Sequence, residues 1–184
     1  AASDVYKRQS SGYTTDIFKD LNIKNFWITD QFQGGIGLSD WYSLCLLKSN
    51  EIKVGDSYQE KICDNLSRTQ IVMYAGTSGD YNPLHSDEIF TTEIAGYPSV
   101  FAHGMLTMGM PGKMLTNYVG DGQLTYYGVR FTAQVWPGDT LKATATITGI
   151  REEDGQQIAD LDVSTTNEEG TEVIKGRASA RLET

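Results

Sequence analysis

Leu141-Lys142-Ala143-Thr144-Ala145-Thr146-Ile147-Thr148 alternates apolar and polar side chains without a break. Successive side chains of a strand point to opposite faces, so this stretch predicts a strand with one buried and one wet face. The pattern recurs downstream. Ala159, Leu161 and Val163 line one face of a following strand. Ile174, Gly176, Ala178, Ala180 and Leu182 alternate with Lys175, Arg177, Ser179 and Arg181 in the last. Strands with a single apolar face read as antiparallel. Pro137-Gly138-Asp139, Glu153-Asp154-Gly155 and Glu168-Glu169-Gly170 carry the residues that turns require. Upstream, Gln123 to Gln134 reads as one more strand, and Tyr58 to Cys63 as the first, behind a turn at Val54-Gly55-Asp56.

Between these strands the apolar period changes. From Ala102 to Val119, Met105, Met108, Leu115 and Val119 recur at three-and-four spacing, with Phe101 just before them. That spacing predicts one long helix with an apolar stripe. Its methionines read as core filler. Gly104, Gly109 and Gly112 are expected to thin the helix for a close approach of the sheet, and Pro111 to kink it. Ser67 is placed to cap an earlier helix running through Ile71, Val72 and Tyr74 to Ala75. Ser86-Asp87-Glu88 opens a second short helix that ends near Gly96-Tyr97-Pro98. The whole reads as an α+β domain, a curved antiparallel sheet wrapped around one long helix.

The stretch with chemical content is Tyr74-Ala75-Gly76-Thr77-Ser78-Gly79-Asp80-Tyr81-Asn82-Pro83-Leu84-His85-Ser86-Asp87. Gly79 permits backbone angles that other residues avoid. Pro83 fixes its own φ and pushes Asn82 toward extended geometry. A turn built this way can aim Asp80 and His85 at one point. A carboxylate and an imidazole sharing a water are a minimal acid/base pair. The structural alternative stands beside this: Asp80 as a turn-former bonded to its own backbone, and His85 as a core or surface residue. The chain has two histidines, and the second, His103, lies in Phe101-Ala102-His103-Gly104-Met105-Leu106-Thr107-Met108-Gly109-Met110.

The segment Y-A-G-T-S-G-D-Y-N-P-L-H-S-D resembles the signature of the MaoC-like, (R)-specific enoyl-thioester hydratase and dehydratase family. F-A-H-G-M-L-T-M-G is similar to that family's second signature. Tyr127 to Thr132 and Val135 to Leu141 resemble its closing strand-turn-strand. The nearest resemblance is to the catalytic beta subunit of mycobacterial-type (3R)-hydroxyacyl-ACP dehydratases. It runs from about Ile52 to Leu182 with the motifs in order. It implies the hotdog fold, and it implies hydration of a trans-2-enoyl thioester, or the reverse dehydration of an (R)-3-hydroxyacyl thioester. The family's catalytic Asp and His fall on Asp80 and His85. Its H-G pair falls on His103 and Gly104, which makes the Gly104 N–H a candidate oxyanion donor at a helix start. His103 is either a participant in substrate binding or only a helix-opening residue. Asn82 either orients the loop or substrate through its amide or serves as a turn residue. Asp87 reads as a capping charge, and Arg130 as half of a structural ion pair. Two other functions stay open: a hotdog acyl-thioester hydrolase, and a non-catalytic partner subunit of a heteromeric dehydratase, against which the presence of both Asp80 and His85 argues.

Composition limits the alternatives. A net charge of −9 argues against non-specific nucleic-acid or anionic-membrane binding. It also means that a CoA or acyl carrier protein thioester would need a local basic patch. Cys45 and Cys63 form neither a metal spacing nor a disulfide framework, so reduced thiols in a cytoplasmic protein are the expectation. No apolar run reaches the ~18 residues that span a bilayer. No metal or cofactor is expected beyond the substrate's own CoA or acyl carrier. A homodimer, or a heterodimer with a related hotdog subunit, is expected. Asp4-Val5-Tyr6-Lys7-Arg8-Gln9 resembles a translated sequencing adapter, and the first methionine is Met73. Residues 1–12 are therefore read as an adapter-like head. Residues 13–51 are read as an unassigned segment, the possible end of a truncated upstream domain, with a strand over Asp40 to Lys48. Residues 52–184 are the expected domain.

Overall fold

A computed structural model of the chain describes residue 47 and residues 51–183. The adapter-like head and the strand expected over Asp40 to Lys48 lie outside the described residues, apart from Leu47. Five strands form one antiparallel sheet: β1 (Ser57–Cys63), β2 (Leu124–Phe131), β3 (Leu141–Glu153), β4 (Gln156–Thr166) and β5 (Glu172–Arg181). Their spatial order is β1-β3-β4-β5-β2. Two α-helices, α1 (Arg68–Ser78) and α2 (Gly104–Val119), complete the described part with a short 3-10 turn and a π-helical turn between them. This is the α+β hotdog arrangement.

The alternation dictates which face is buried. Leu141, Ala143, Ala145 and Ile147 on β3 are fully buried, as are Ala159, Leu161 and Val163 on β4 and Ala178 and Ala180 on β5. Register places them side by side: Ala145 opposite Val163, Leu161 opposite Ala178, and Ala159 opposite Ala180. Met114, Leu115 and Val119 of α2 close this cluster from above. Alanines at the centre of the sheet leave room for the helix to settle onto it. Each large side chain buried there contributes about 1.5–3 kcal/mol. Register shifts in β1, β2, β3 and the β4–β5 pair bend the sheet around the helix. Leu47 packs against the same cluster, and its carbonyl accepts from the Glu183 N–H at 3.1 Å.

Several expectations need correction. Met105, at the start of the predicted apolar stripe, is 59 % exposed, because the stripe that faces the sheet is centred on Leu115. Gly104 and Gly112 do abut the sheet: a Cβ at either would come within 3.1 Å of Phe131 or 3.3 Å of Tyr127. Gly109 faces open space. β2 stops at Phe131, short of Gln134: the Thr132 N–H still donates to the Val173 carbonyl at 3.0 Å, but by Val135 the chain has left the sheet, and its carbonyl accepts from the Ala102 N–H at 2.8 Å. Helix α1 extends past Ala75 to Ser78, and Ser67 caps it within a full capping box with Gln70. Arg130 is exposed on β2 and makes no ion pair among the described residues, against the expected structural pair.

Candidate active site

Helix α1 ends where the chemical motif begins. Gly79 takes φ +75° and its N–H bonds the Ala75 carbonyl, a left-handed cap that suits a glycine. The chain then turns outward to Asp80, whose side chain is exposed and accepts from the Asn82 N–H at 3.3 Å. Asn82 caps the next turn: its Oδ1 accepts from the Leu84 N–H at 3.1 Å, with Pro83 first in the 3-10 helix Pro83–His85. The Asn82 oxygen is thus engaged in the loop. Asp87 caps the following turn through the Phe90 N–H. Buried Thr91 braces the loop by donating to the carbonyls of Pro83 and Asp87.

These local turns deliver His85 to a buried position. Its Nδ1 lies 2.7 Å from the Phe101 carbonyl oxygen. A carbonyl only accepts, so Nδ1 carries the proton and Nε2 of the neutral ring keeps its lone pair. Burial pushes the imidazole below its ordinary 6.5. The Phe101 carbonyl and Asp80 oppose that shift, and His103 adds to it. His85 therefore stands as a neutral base near neutral pH.

The second motif docks on the first. The Phe101 N–H donates to the Leu84 carbonyl at 3.3 Å. His103 follows at the head of α2, 1 % exposed. Its Nε2 lies 3.0 Å from the backbone carbonyl of Asp80, and its ring stacks on His85 with centroids 3.8 Å apart. Tyr74 packs on its other neighbourhood, with centroids at 5.0 Å. His103 occupies the N-cap position of α2 but its side chain caps nothing. The first intrahelical bond there runs from the Thr107 N–H to the His103 carbonyl. Gly104, Met105 and Leu106 therefore present N–H groups without an intrahelical acceptor, at the positive end of the helix dipole.

Ligating atoms of Asp80, His85 and His103 all lie within 4.8 Å of one another. That spacing fits one water hydrogen-bonded to Asp80 and His85, since two such bonds span about 5.6 Å. A metal would need donors at about 2.0–2.2 Å from the ion. If it used His103 Nε2, that atom would also have to release the Asp80 carbonyl. Between α1 and α2, a groove of about 520 Å³ runs past Cys63, Leu66, Tyr74, Leu106, Met110 and Met114. Its lining is mostly apolar. A second cavity, of about 570 Å³, is polar and shares no residue with either motif loop.

Sequence reasoning thus names Asp80, His85, His103 and Gly104, and the fold brings all four to one place. It misses Phe101, which acts through its backbone carbonyl and so leaves no side-chain signal, and it misses Tyr74 and Thr91 as supports.

The hotdog sheet and helix thus bring an exposed carboxylate and two buried imidazoles together at the opening of α2, the architecture of a compact polar site on an α+β domain. Residues 49–171 match the MaoC like domain, and the chain belongs to that family. It is 38 % identical over 89 residues to 3-hydroxyacyl-thioester dehydratase Y of Mycobacterium tuberculosis, covering 47 % of this chain and 31 % of that protein. It is 34 % identical over 102 residues to the (R)-specific enoyl-CoA hydratase of Rhodospirillum rubrum, covering 54 % of this chain and 69 % of that one. The R-hydratase PhaJ1 of Pseudomonas aeruginosa shares the fold with a TM-score of 0.66 at 22 % identity, over 76 % of this chain and 88 % of that one. Other solved structures of this fold include a heteromeric complex, ChsH1-ChsH2 of Mycobacterium tuberculosis. The chain spans about a third of the length of the mycobacterial and Arabidopsis thaliana relatives that it matches. Among the described residues no helix is long and apolar enough to cross a membrane.

Proposed function

We propose that this chain is a hydro-lyase that interconverts a trans-2-enoyl thioester and its (R)-3-hydroxyacyl thioester, with Asp80 and His85 as catalytic residues. One observation carries the reading: a single loop holds the two groups within reach of one water, and Phe101 fixes the His85 tautomer with Nε2 unprotonated. Nε2 takes a proton from the water as its oxygen bonds to the β carbon. The double-bond electrons move onto the thioester, whose oxygen gains enolate charge. The Gly104 N–H, at a helix start, stabilises that charge. The proton returns through the Asp80–His85 pair to the α carbon as the enolate collapses. Acid, base and oxyanion donor all come from the chain, so the reaction needs no cofactor other than the CoA or acyl carrier of the substrate. The apolar groove beside Tyr74 suits the acyl tail.

A cytoplasmic setting is consistent with the free, buried Cys63. Pairing with a second hotdog subunit, like or unlike, is supported by the sheet edge. β2 is an outer strand and leaves Tyr126 and Phe131 about half exposed. Such edges are normally paired or covered. The test of the function is initial-rate loss of enoyl ultraviolet absorbance with crotonyl-CoA and longer enoyl-CoAs, using the whole chain. Saturable loss supports the reading, and no loss with any chain length counts against it.

A further inference from the structure

We propose that His103 is a positioning residue that locks Asp80 and His85 into one unit, holding the first by its backbone and the second by its ring. The inference rests on the acid/base reading of those two residues. Three roles compete for His103. A capping role fails, because its side chain makes no cap bond. Direct substrate contact fails, because the residue is 1 % exposed and its Nδ1 is buried without a partner among the described residues. What remains is the pair of contacts it does make.

Its Nε2 must be the donor to the Asp80 carbonyl, since a carbonyl oxygen only accepts. That bond fixes the backbone from which the Asp80 carboxylate projects. Among the described residues the carboxylate itself has one long bond, from the Asn82 N–H, to orient it. The His103 ring lies nearly parallel to His85, 3.8 Å away at 27°. It therefore sets the plane in which Nε2 of His85 points. The titratable groups facing His85 are Asp80, from its own loop, and His103, from the head of α2. An imidazole stacked this closely disfavours charge on its neighbour, which keeps His85 in its base form. The same residue stands at the N-cap of α2, directly before Gly104, the proposed oxyanion donor. One side chain thus ties the acid, the base and the oxyanion donor together.

The test uses His103→Ala and His103→Gln. The chain has two histidines, so either variant leaves His85 as the sole imidazole in a nitrogen-15 spectrum. His85 is expected to titrate at higher pH in both variants than in the parent. The parent rate constant kcat is expected to drop by up to about 10²-fold, the scale for a misplaced catalytic group, with KM unchanged. His103→Gln should recover part of kcat, because its amide can reach the Asp80 carbonyl. Unchanged His85 titration and kcat would overturn the proposal. A loss confined to KM would also overturn it and make His103 a substrate contact. The titration needs no substrate: a shift seen in a chain without hydratase activity would sink the functional reading and leave the lock standing.

Discussion

Replacing Asp80 by Asn separates chemistry from folding. The Asp80 side chain is exposed and holds only the Asn82 N–H, at 3.3 Å, among the described residues. An amide oxygen can accept that same bond. The contact with His103 goes to the Asp80 backbone and survives the change. Stability should therefore move by no more than about 0.5 kcal/mol, as for surface substitutions away from special features. Activity should not survive, because an amide cannot accept or pass a proton. General acid–base groups contribute about 10²-fold or more, which is about 2.7 kcal/mol of barrier. The gap between these two magnitudes is the signature. Initial rates on crotonyl-CoA and thermal melts on the same preparations would measure it. Near-parental turnover in a folded variant would refute the assignment, and a melt that collapsed together with the rate would show that the carboxylate is structural.

The pH profile should follow His85. Its folded value is depressed by burial, so the acid limb of kcat/KM is expected below 6.5, with a plateau through neutrality; a limb above 6.5 would contradict a buried neutral base. The same depression makes the neutral form favourable to folding above the unfolded value, and that contribution is lost as pH falls through the lowered one. Melts of the parent should therefore decline on acidification, and less steeply in His85→Gln. Leu115→Ala should cost about 2–5 kcal/mol in denaturant unfolding, because it empties the centre of the α2–sheet contact. Ser67→Ala should cost about 0.5–2 kcal/mol by removing the α1 cap, with activity retained at assay temperature. Light scattering should find a dimer, alone or with a related subunit; an active monomer at micromolar concentration would leave the β2 edge unexplained.

The sheet was legible because a strand's period is a backbone property. Leu141 to Ile147 could bury only one face whatever lay above it. The helix was legible in existence and less so in orientation. Its face depends on where the sheet stands, so the three-and-four spacing puts Met105 inward while the fold turns it out, and Met114, outside that spacing, is buried in the core with Leu115. The strand pattern running on to Gln134 overreaches for a similar reason: Val135 pairs with Ala102, a partner no local pattern announces. Within the site, Gly79, Asn82 and Pro83 spell a turn in their own chemistry, so the approach of Asp80 to His85 could be read directly. The contact of His103 with Asp80 bridges 23 residues and ends on a backbone oxygen. Neither feature leaves a trace in composition or spacing, and only the packed fold shows that one imidazole supports the other.

The proposed chemistry is addition of water by the Asp80–His85 pair at the β carbon of an enoyl thioester. The direct measurement is the identity and chirality of the product formed from crotonyl-CoA by the whole chain, with free thiol titrated in parallel. The expected product is (3R)-hydroxybutyryl-CoA, with no release of thiol. Release of CoA thiol in step with substrate loss, or a (3S) product, would contradict it.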